Sequence, residues 1–452
     1  VLFRSGAPIY GVTTGFGPLV DQSAQDASED AHAHGLIAHL SAGAGDWADP
    51  APVRTTIAAR LQALAQGHSA VRPTVVDTLL QLLEADIVPA VPEIGSVGAS
   101  GDLTPLAHIA RVCEGDGHVR TEDGPVPAAE ALEEAGIPPI SLEARDALAV
   151  VNGTSFMTAY AALGLCRGQR LLERAEALTG WIYALLGCSR EALDPTLHEA
   201  RGHPGQQTSA ARIREAVAHF DVATEDDRPL QEVYSLRCAP QVLGAVRDQL
   251  GYVRQTIERE LNGVTDNPIV DPDRPAVLHG GNFQGQQIAF AADELNEALT
   301  QIGVLAERQI DVLLSPDQNG GAPPLLAWEP GPSSGLAGAQ LTATALVAEL
   351  RQDAQMSGTA SIPTNGDNQD VVSMGTLAAR TAYEQTDDLA PILAVLGLAC
   401  AQITHLRTAG RAPGPTPEPP DWMPHVEPIK EDRPLRAEIQ DIAARWVTPS
   451  PH

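Results

Sequence analysis

The chain has 452 residues, 43% of them apolar and 19% charged, which places it with folded globular proteins rather than disordered ones. Its formal charge of −29 argues against a nucleic-acid partner, because binding phosphate needs a positive surface. The five cysteines stand far apart with no Cys-X-X-Cys pair, which fits a reducing, cytoplasmic setting. No uninterrupted apolar run approaches the roughly 20 residues that span a bilayer, and the chain opens at Val1 without a basic-then-apolar leader. No membrane partner is expected. Lys430 is the only lysine, so nearly every cationic side chain is an arginine.

Near the start, Tyr10-Gly11-Val12-Thr13-Thr14-Gly15-Phe16-Gly17 has glycines spaced for a loop that opens and closes. Alone, Tyr10 reads more readily as a turn or core residue than as a catalytic one. His39-Leu40 stands just before the small-residue turn Ser41-Ala42-Gly43-Ala44-Gly45, and residues 55–66 read as helix. Next comes the string Gly95-Ser96-Val97-Gly98-Ala99-Ser100-Gly101-Asp102-Leu103-Thr104-Pro105-Leu106-Ala107-His108. Three small residues, Ala99-Ser100-Gly101, let the backbone approach itself. A backbone nitrogen can then attack the preceding carbonyl, and loss of water leaves a ring with an exposed electrophilic alkene. The triad alone is common in a chain rich in Ala and Gly; the longer string is not.

Val151-Asn152-Gly153-Thr154-Ser155 has the residues of a helix start, ahead of a helical window over 154–186. In Gln231-Glu232-Val233-Tyr234-Ser235-Leu236-Arg237-Cys238-Ala239-Pro240-Gln241, Arg237 sits among apolar and small residues. Its guanidinium matches a substrate carboxylate with two parallel hydrogen bonds. Gln231 and Tyr234, three apart, can face the same cleft. Further helical windows cover 243–261, 285–314 and 337–355. Within them, 289–302 and 341–350 are apolar nearly all round, as expected in the middle of a bundle or at a subunit interface. Gly280-Gly281-Asn282-Phe283-Gln284-Gly285 is a loop, and a second loop runs from Asn365 through Asn368-Gln369-Asp370-Val371-Val372-Ser373-Met374. A Pro-rich segment over 411–424 precedes a last helix over 436–447.

Metal binding finds little support. His198-Glu199 is followed by His203, five residues on rather than four, so the pair fails the spacing that puts two ligands on one helical face. His32-Ala33-His34 is the other candidate. No phosphate-binding glycine motif and no Gly-X-Ser-X-Gly elbow occurs.

These segments, in this order over roughly residues 10–440, resemble the aromatic amino acid ammonia-lyases. That family makes its electrophile, a methylidene-imidazolone (MIO), from its own Ala-Ser-Gly. The resemblance implies a mainly α fold: a long-helix bundle of the ammonia-lyase and fumarase type, with a smaller N-terminal mixed region carrying the MIO loop. The expected division is 1–150, 151–405 and 406–452. It implies a homotetramer whose active sites are built from three chains, and no external cofactor or metal. Ala99, Ser100 and Gly101 would form the ring, and Tyr10 would be the base on a mobile loop. A phenol needs a positive surrounding to ionise near neutral pH, which converging helix N-termini would supply. Asn152 and Tyr234 would orient electrophile and substrate, and Arg237 would hold the carboxylate. Gln231, Asn282, Phe283, Asn365 and Gln369 would complete the substrate contacts.

His39 and Leu40 occupy the place where the family meets the ring end of its substrate. Tyrosine-preferring lyases resemble this His-Leu pair; phenylalanine lyases tend to Phe-Leu and histidine lyases to Ser-His, the last with Glu where Gln369 stands. An imidazole can exchange a hydrogen bond with a phenol, and leaving a buried partner unpaired costs about 1–3 kcal/mol. L-Tyrosine giving 4-coumarate and ammonia is therefore expected. Ala337 stands where many members place a Met against the ring, which leaves room for a substituted ring. The alternatives are a tyrosine 2,3-aminomutase, which differs in how long the site stays closed, then a histidine ammonia-lyase, then an inactive helical scaffold.

Overall fold

Ala, Leu, Glu, Arg and Gln lose little side-chain freedom in a helix, and the windows rich in them are helical in the computed structural model of the chain. The structure describes residues 9–22, 29–220, 228–271, 273–274 and 276–448. The expected windows appear as Pro50–Ala65, Ser155–Leu186, Ala239–Leu261, Gln286–Leu314, Ala337–Asp353 and Arg436–Val447. Proline opens Pro50–Ala65, Pro73–Glu84, Pro195–Arg201 and Pro204–His219, where its fixed φ suits the first turn and its missing N–H costs nothing. The 34-residue helix Gly375–Thr408 was not anticipated. Pro391 lies inside it, and a proline in a helical pattern ordinarily signals a break. Among the described residues it is the one helix long and apolar enough to cross a membrane, yet 89% of its apolar window is buried inside the protein.

By packing, the chain divides into two units. The first comprises Val1–Leu163, Arg254–Asp293 and Met356–Arg380. Among its described residues are three two-stranded antiparallel sheets: Ala44–Trp47 with Pro92–Ile94, His118–Thr121 with Gly124–Pro127, and Ile269–Asp271 with Ala276–Leu278. Its helices bury stripes at helical spacing: Val53, Ile57 and Leu64 in Pro50–Ala65, Val75, Leu79 and Leu82 in Pro73–Glu84, and Leu106, Ile109 and Val112 in Leu103–Cys113. Each such side chain contributes about 1.5–3 kcal/mol on burial. This mixed region carries the loop over 95–101, as the resemblance implied.

The second unit comprises Gly164–Val253, Glu294–Gln355 and Thr381–His452. Trp181, Tyr183, Leu389, Ile392, Leu393 and Leu396 form part of its buried interior. Glu176, also buried, is held by Arg247 at 2.6 Å and by the Ser209 hydroxyl at 2.6 Å. Helix Ala337–Asp353 buries only one stripe, Ala339, Ala343, Val347 and Leu350, and leaves Leu341 73% exposed. The stretch 341–350, expected to be apolar nearly all round, carries Thr342, Thr344 and Glu349, and this single chain covers one side of it.

Candidate active site

The loop between strand Pro92–Ile94 and helix Leu103–Cys113 turns at Gly98 and Gly101, both with φ of +69°. A side chain at Gly101 would be doubly excluded, by that φ and by collision with the Gly153 backbone. Gly101 and Gly153 form a parallel bridge, and the Asp102 N–H donates to the Gly153 carbonyl at 2.7 Å. Asp102 is fully buried and accepts four hydrogen bonds: Ser96 Oγ at 2.8 Å, Thr376 Oγ1 at 2.6 Å, and the N–H groups of Phe156 and Met157 at 3.0 and 2.9 Å. The last two are free donors at the start of helix Ser155–Leu186, which attracts a negative charge. Burial pushes the Asp102 carboxyl above its ordinary range, and the four donors oppose that shift.

Ser100 is pinned at both ends. Its carbonyl accepts from Asn152 Nδ2 at 3.1 Å, and its hydroxyl accepts from Gln369 Nε2 at 2.9 Å. Thr364 Oγ1 in turn donates to Gln369 Oε1 at 2.8 Å. Asn152 Oδ1 is buried without a hydrogen-bond partner. A compact turn of small residues, a held Ser100 carbonyl and an unspent acceptor on Asn152 all suit a ring made from Ala99-Ser100-Gly101. The residues present fit that group.

Ser100 faces a cavity of about 1080 Å³ in the first unit. Tyr10, His39, Leu40, Ala99, Gly101, Asn152, Phe283, Asn365 and Gln369 line it as well. The Tyr10 hydroxyl accepts from the Gly17 N–H at 2.9 Å, and the Tyr10 N–H donates to His279 Nε2 at 3.3 Å. The Tyr10 ring meets Phe16 edge-on with centroids 6.4 Å apart, and Phe16 stacks on His32 at 4.5 Å. Helix Glu29–Leu40 puts His32, Leu36, His39 and Leu40 on the cavity wall. His39 Nδ1 lies 2.8 Å from the Gly35 carbonyl, so Nδ1 donates and Nε2 is left to accept.

The remaining expected residues do not line this cavity. Asn282 is exposed in the first unit. Gln231, Tyr234 and Arg237 belong to the second unit, where Tyr234 is 71% exposed and the Arg237 guanidinium lies 4.6 Å from its ring centre. Arg237 Nε is buried without a hydrogen-bond partner. Lining residues that the sequence reading does not assign to the site include His32, Leu36, Leu148, Asn267 and Thr364. In the sequence His32 stands out only as a candidate metal ligand; its seven-residue spacing from His39, two helical turns, is the signal that the two share a face. Among the described residues no group of three His, Cys, Asp or Glu could hold a metal.

Comparison with known proteins places the chain in a family. The family model for aromatic amino acid lyases matches residues 2–419. A tyrosine ammonia-lyase of Cupriavidus metallidurans is 44% identical over 90% of this chain and 82% of its own. A histidine ammonia-lyase of Aromatoleum aromaticum is 40% identical, over 90% of this chain and 78% of its own. An MIO-dependent tyrosine 2,3-aminomutase of Streptomyces globisporus is 43% identical over 91% and 79%. The crystal structure of the tyrosine aminomutase from that organism superposes with a TM-score of 0.90 at 38% identity, covering 98% of this chain and 88% of that one. With the model matched over most of its length and relatives well above 30% identity, the chain belongs to the aromatic amino acid lyase family.

Proposed function

We propose that this chain eliminates ammonia from L-tyrosine, giving 4-coumarate, with Ala99, Ser100 and Gly101 as the source of its electrophile. The observation that carries the proposal is one cavity wall bearing Tyr10, the pinned Ser100 and the free Nε2 of His39. When formed, the methylidene-imidazolone supplies an electrophilic carbon that makes the substrate's amine a better leaving group. Asn152 holds the Ser100 carbonyl, while Gln369 holds the Ser100 hydroxyl until it leaves as the ring forms and afterwards lines the cavity beside the ring. Tyr10 takes the proton from the carbon next to the ring, a task for a base on a loop that admits substrate and then excludes water. His39 Nε2 accepts from the phenol hydroxyl, while Leu40 and Phe283 offer apolar surface to the ring.

Gln231, Tyr234, Arg237 and Asn282 enter the reading through further copies of the chain. The exposed Tyr234 and the uncovered face of helix Ala337–Asp353 support a homotetramer with shared sites. Arg237, with an unspent Nε, would then hold the substrate carboxylate. A tyrosine 2,3-aminomutase is the second reading, favoured by the likeness to the Streptomyces globisporus enzyme.

The deciding experiment incubates purified protein separately with L-tyrosine, L-phenylalanine and L-histidine and identifies the products by mass. Coumarate from tyrosine as the main product is expected. β-Tyrosine would make the protein a mutase, urocanate would overturn the role of His39, and no product from any of the three would overturn the lyase reading.

A further inference from the structure

Arg60 lies on helix Pro50–Ala65 in the first unit and is 1% exposed. Among the described residues only one of its guanidinium nitrogens has partners: Nη1 donates to the Thr265 carbonyl at 2.8 Å and to Thr265 Oγ1 at 3.3 Å. Nε and Nη2 are buried without hydrogen-bond partners. Burial draws the guanidinium down to about 10, with Asp266 opposing that shift and Arg145 adding to it. Asp266 is itself paired with Arg145, so the buried cluster of two arginines and one aspartate carries a net positive charge. Unspent donors on a buried cation are costly, and folds keep such costs where a site needs them.

What Arg60 touches is the backbone behind the Ser100 loop. A Cβ at Gly153 would collide with Arg60 Nη1 and come within 2.7 Å of the Thr265 carbonyl. Thr265 Oγ1 also accepts from the Thr154 N–H at 3.4 Å. The Gly153 carbonyl, in turn, receives the Asp102 N–H, and Gly153 bridges Gly101. Arg60, Gly153 and Gly101 therefore stand in sequence, each excluding a side chain on the next.

We propose that Arg60 is a positioning residue for the cyclisation of Ala99-Ser100-Gly101, bracing Gly153 against Gly101 through Thr265. The proposal rests on the reading of this chain as a lyase that makes its own electrophile. In the cyclisation, a bond forms between the Gly101 nitrogen and the Ala99 carbonyl carbon. The Ala99 carbonyl oxygen leaves as water with the amide hydrogens of Gly101 and Ser100. The Ser100 hydroxyl leaves as a second water with the hydrogen on its own Cα. No oxidant or reductant is needed. The nitrogen must be held at close approach before it attacks, which a braced Gly101 provides in advance.

The test follows the mass of the full chain over time after synthesis in vitro, alongside near-ultraviolet absorbance and a thermal melt. Wild type is expected to lose the mass of two waters. Arg60→Met is expected to fold but to lose them at least about tenfold more slowly, with Arg60→Lys in between. A merely structural role would lower the melt and leave the rate per folded chain unchanged. A folded Arg60→Met that dehydrates at the wild-type rate overturns the proposal. If Arg60→Met does not fold, Thr265→Val decides, since it keeps shape and removes the hydroxyl shared by Arg60 and Thr154. Slowed dehydration supports the brace, and a wild-type rate overturns it. Wild type that keeps its full unprocessed mass overturns the reading of a self-made electrophile, and this proposal with it.

Discussion

The loops bearing Ser100 and Tyr10 line one cavity and are held in different ways. The first is fixed through its backbone: Gly101 bridges Gly153, Asp102 gathers four donors, and Asn152 holds the Ser100 carbonyl. The second is held by ring faces, by the packing of Gly17 on Asn365, and by short-range bonds such as Gly17 N–H to the Tyr10 hydroxyl and Val12 and Thr13 N–H to the Ile9 carbonyl. The contrast matches two tasks. A group made once from the backbone needs geometry that never relaxes, whereas a base must let substrate in and product out on every turnover.

The largest effect should come from the rigid loop. Ser100→Ala removes the hydroxyl that must leave, and activity should fall by about a thousandfold or more. The variant should fold, keep its unprocessed mass and lack the short-wavelength absorbance of the ring. A purified Ser100→Ala chain with full turnover would break the assignment. Tyr10→Phe should lower kcat by about 10²–10⁴ while leaving dehydration complete, which would separate the two loops by task. If Tyr10→Phe also blocks dehydration, the loops are not independent and the comparison fails. Next in size, His39→Phe removes an acceptor for the phenol and should shift the tyrosine-to-phenylalanine ratio of kcat/KM by about ten- to a hundredfold toward phenylalanine. An unchanged ratio would show that His39 does not read the ring.

Much of this was legible in the sequence, for reasons that differ by region. The long helices follow from composition and the absence of proline, and Ala337–Asp353 ends two residues short of its expected limit. Gly375–Thr408 was hidden by Pro391, because tertiary burial outweighs a local helix breaker and no local rule reports burial. The Ser100 string and the Tyr10 loop were readable as motifs, since each needs particular small residues at fixed spacing. Tyr234 and Arg237 were named by resemblance, but resemblance does not say which copy of a chain supplies a side chain. Arg60 gave no signal at all. In a helical window a lone arginine reads as solvent-facing, and only the fold reveals that this one is buried behind Gly153.

The smallest effect is expected in the second unit, at Asp388, and it controls for the others. Burial, with repulsion from Glu349, Asp353 and Asp387, lifts its carboxyl from an ordinary 3.8 to about 6. Between those values the folded chain holds a proton that the unfolded chain releases. Stability therefore falls as pH rises through that window and is level above it. Partial exposure lets solvent screen the repulsion, which keeps the effect small. Asp388→Asn removes the charge without changing shape, so it should melt higher than wild type above pH about 6, and the difference should vanish below about 4. Dehydration and the tyrosine-to-phenylalanine ratio should stay as in wild type, because neither loop is altered. A melting difference that does not change with pH would mean that Asp388 is not the group holding the proton. A change in the substrate ratio would mean that stability and specificity are coupled, and the His39 result would then need correcting for stability before it could be read as a contact.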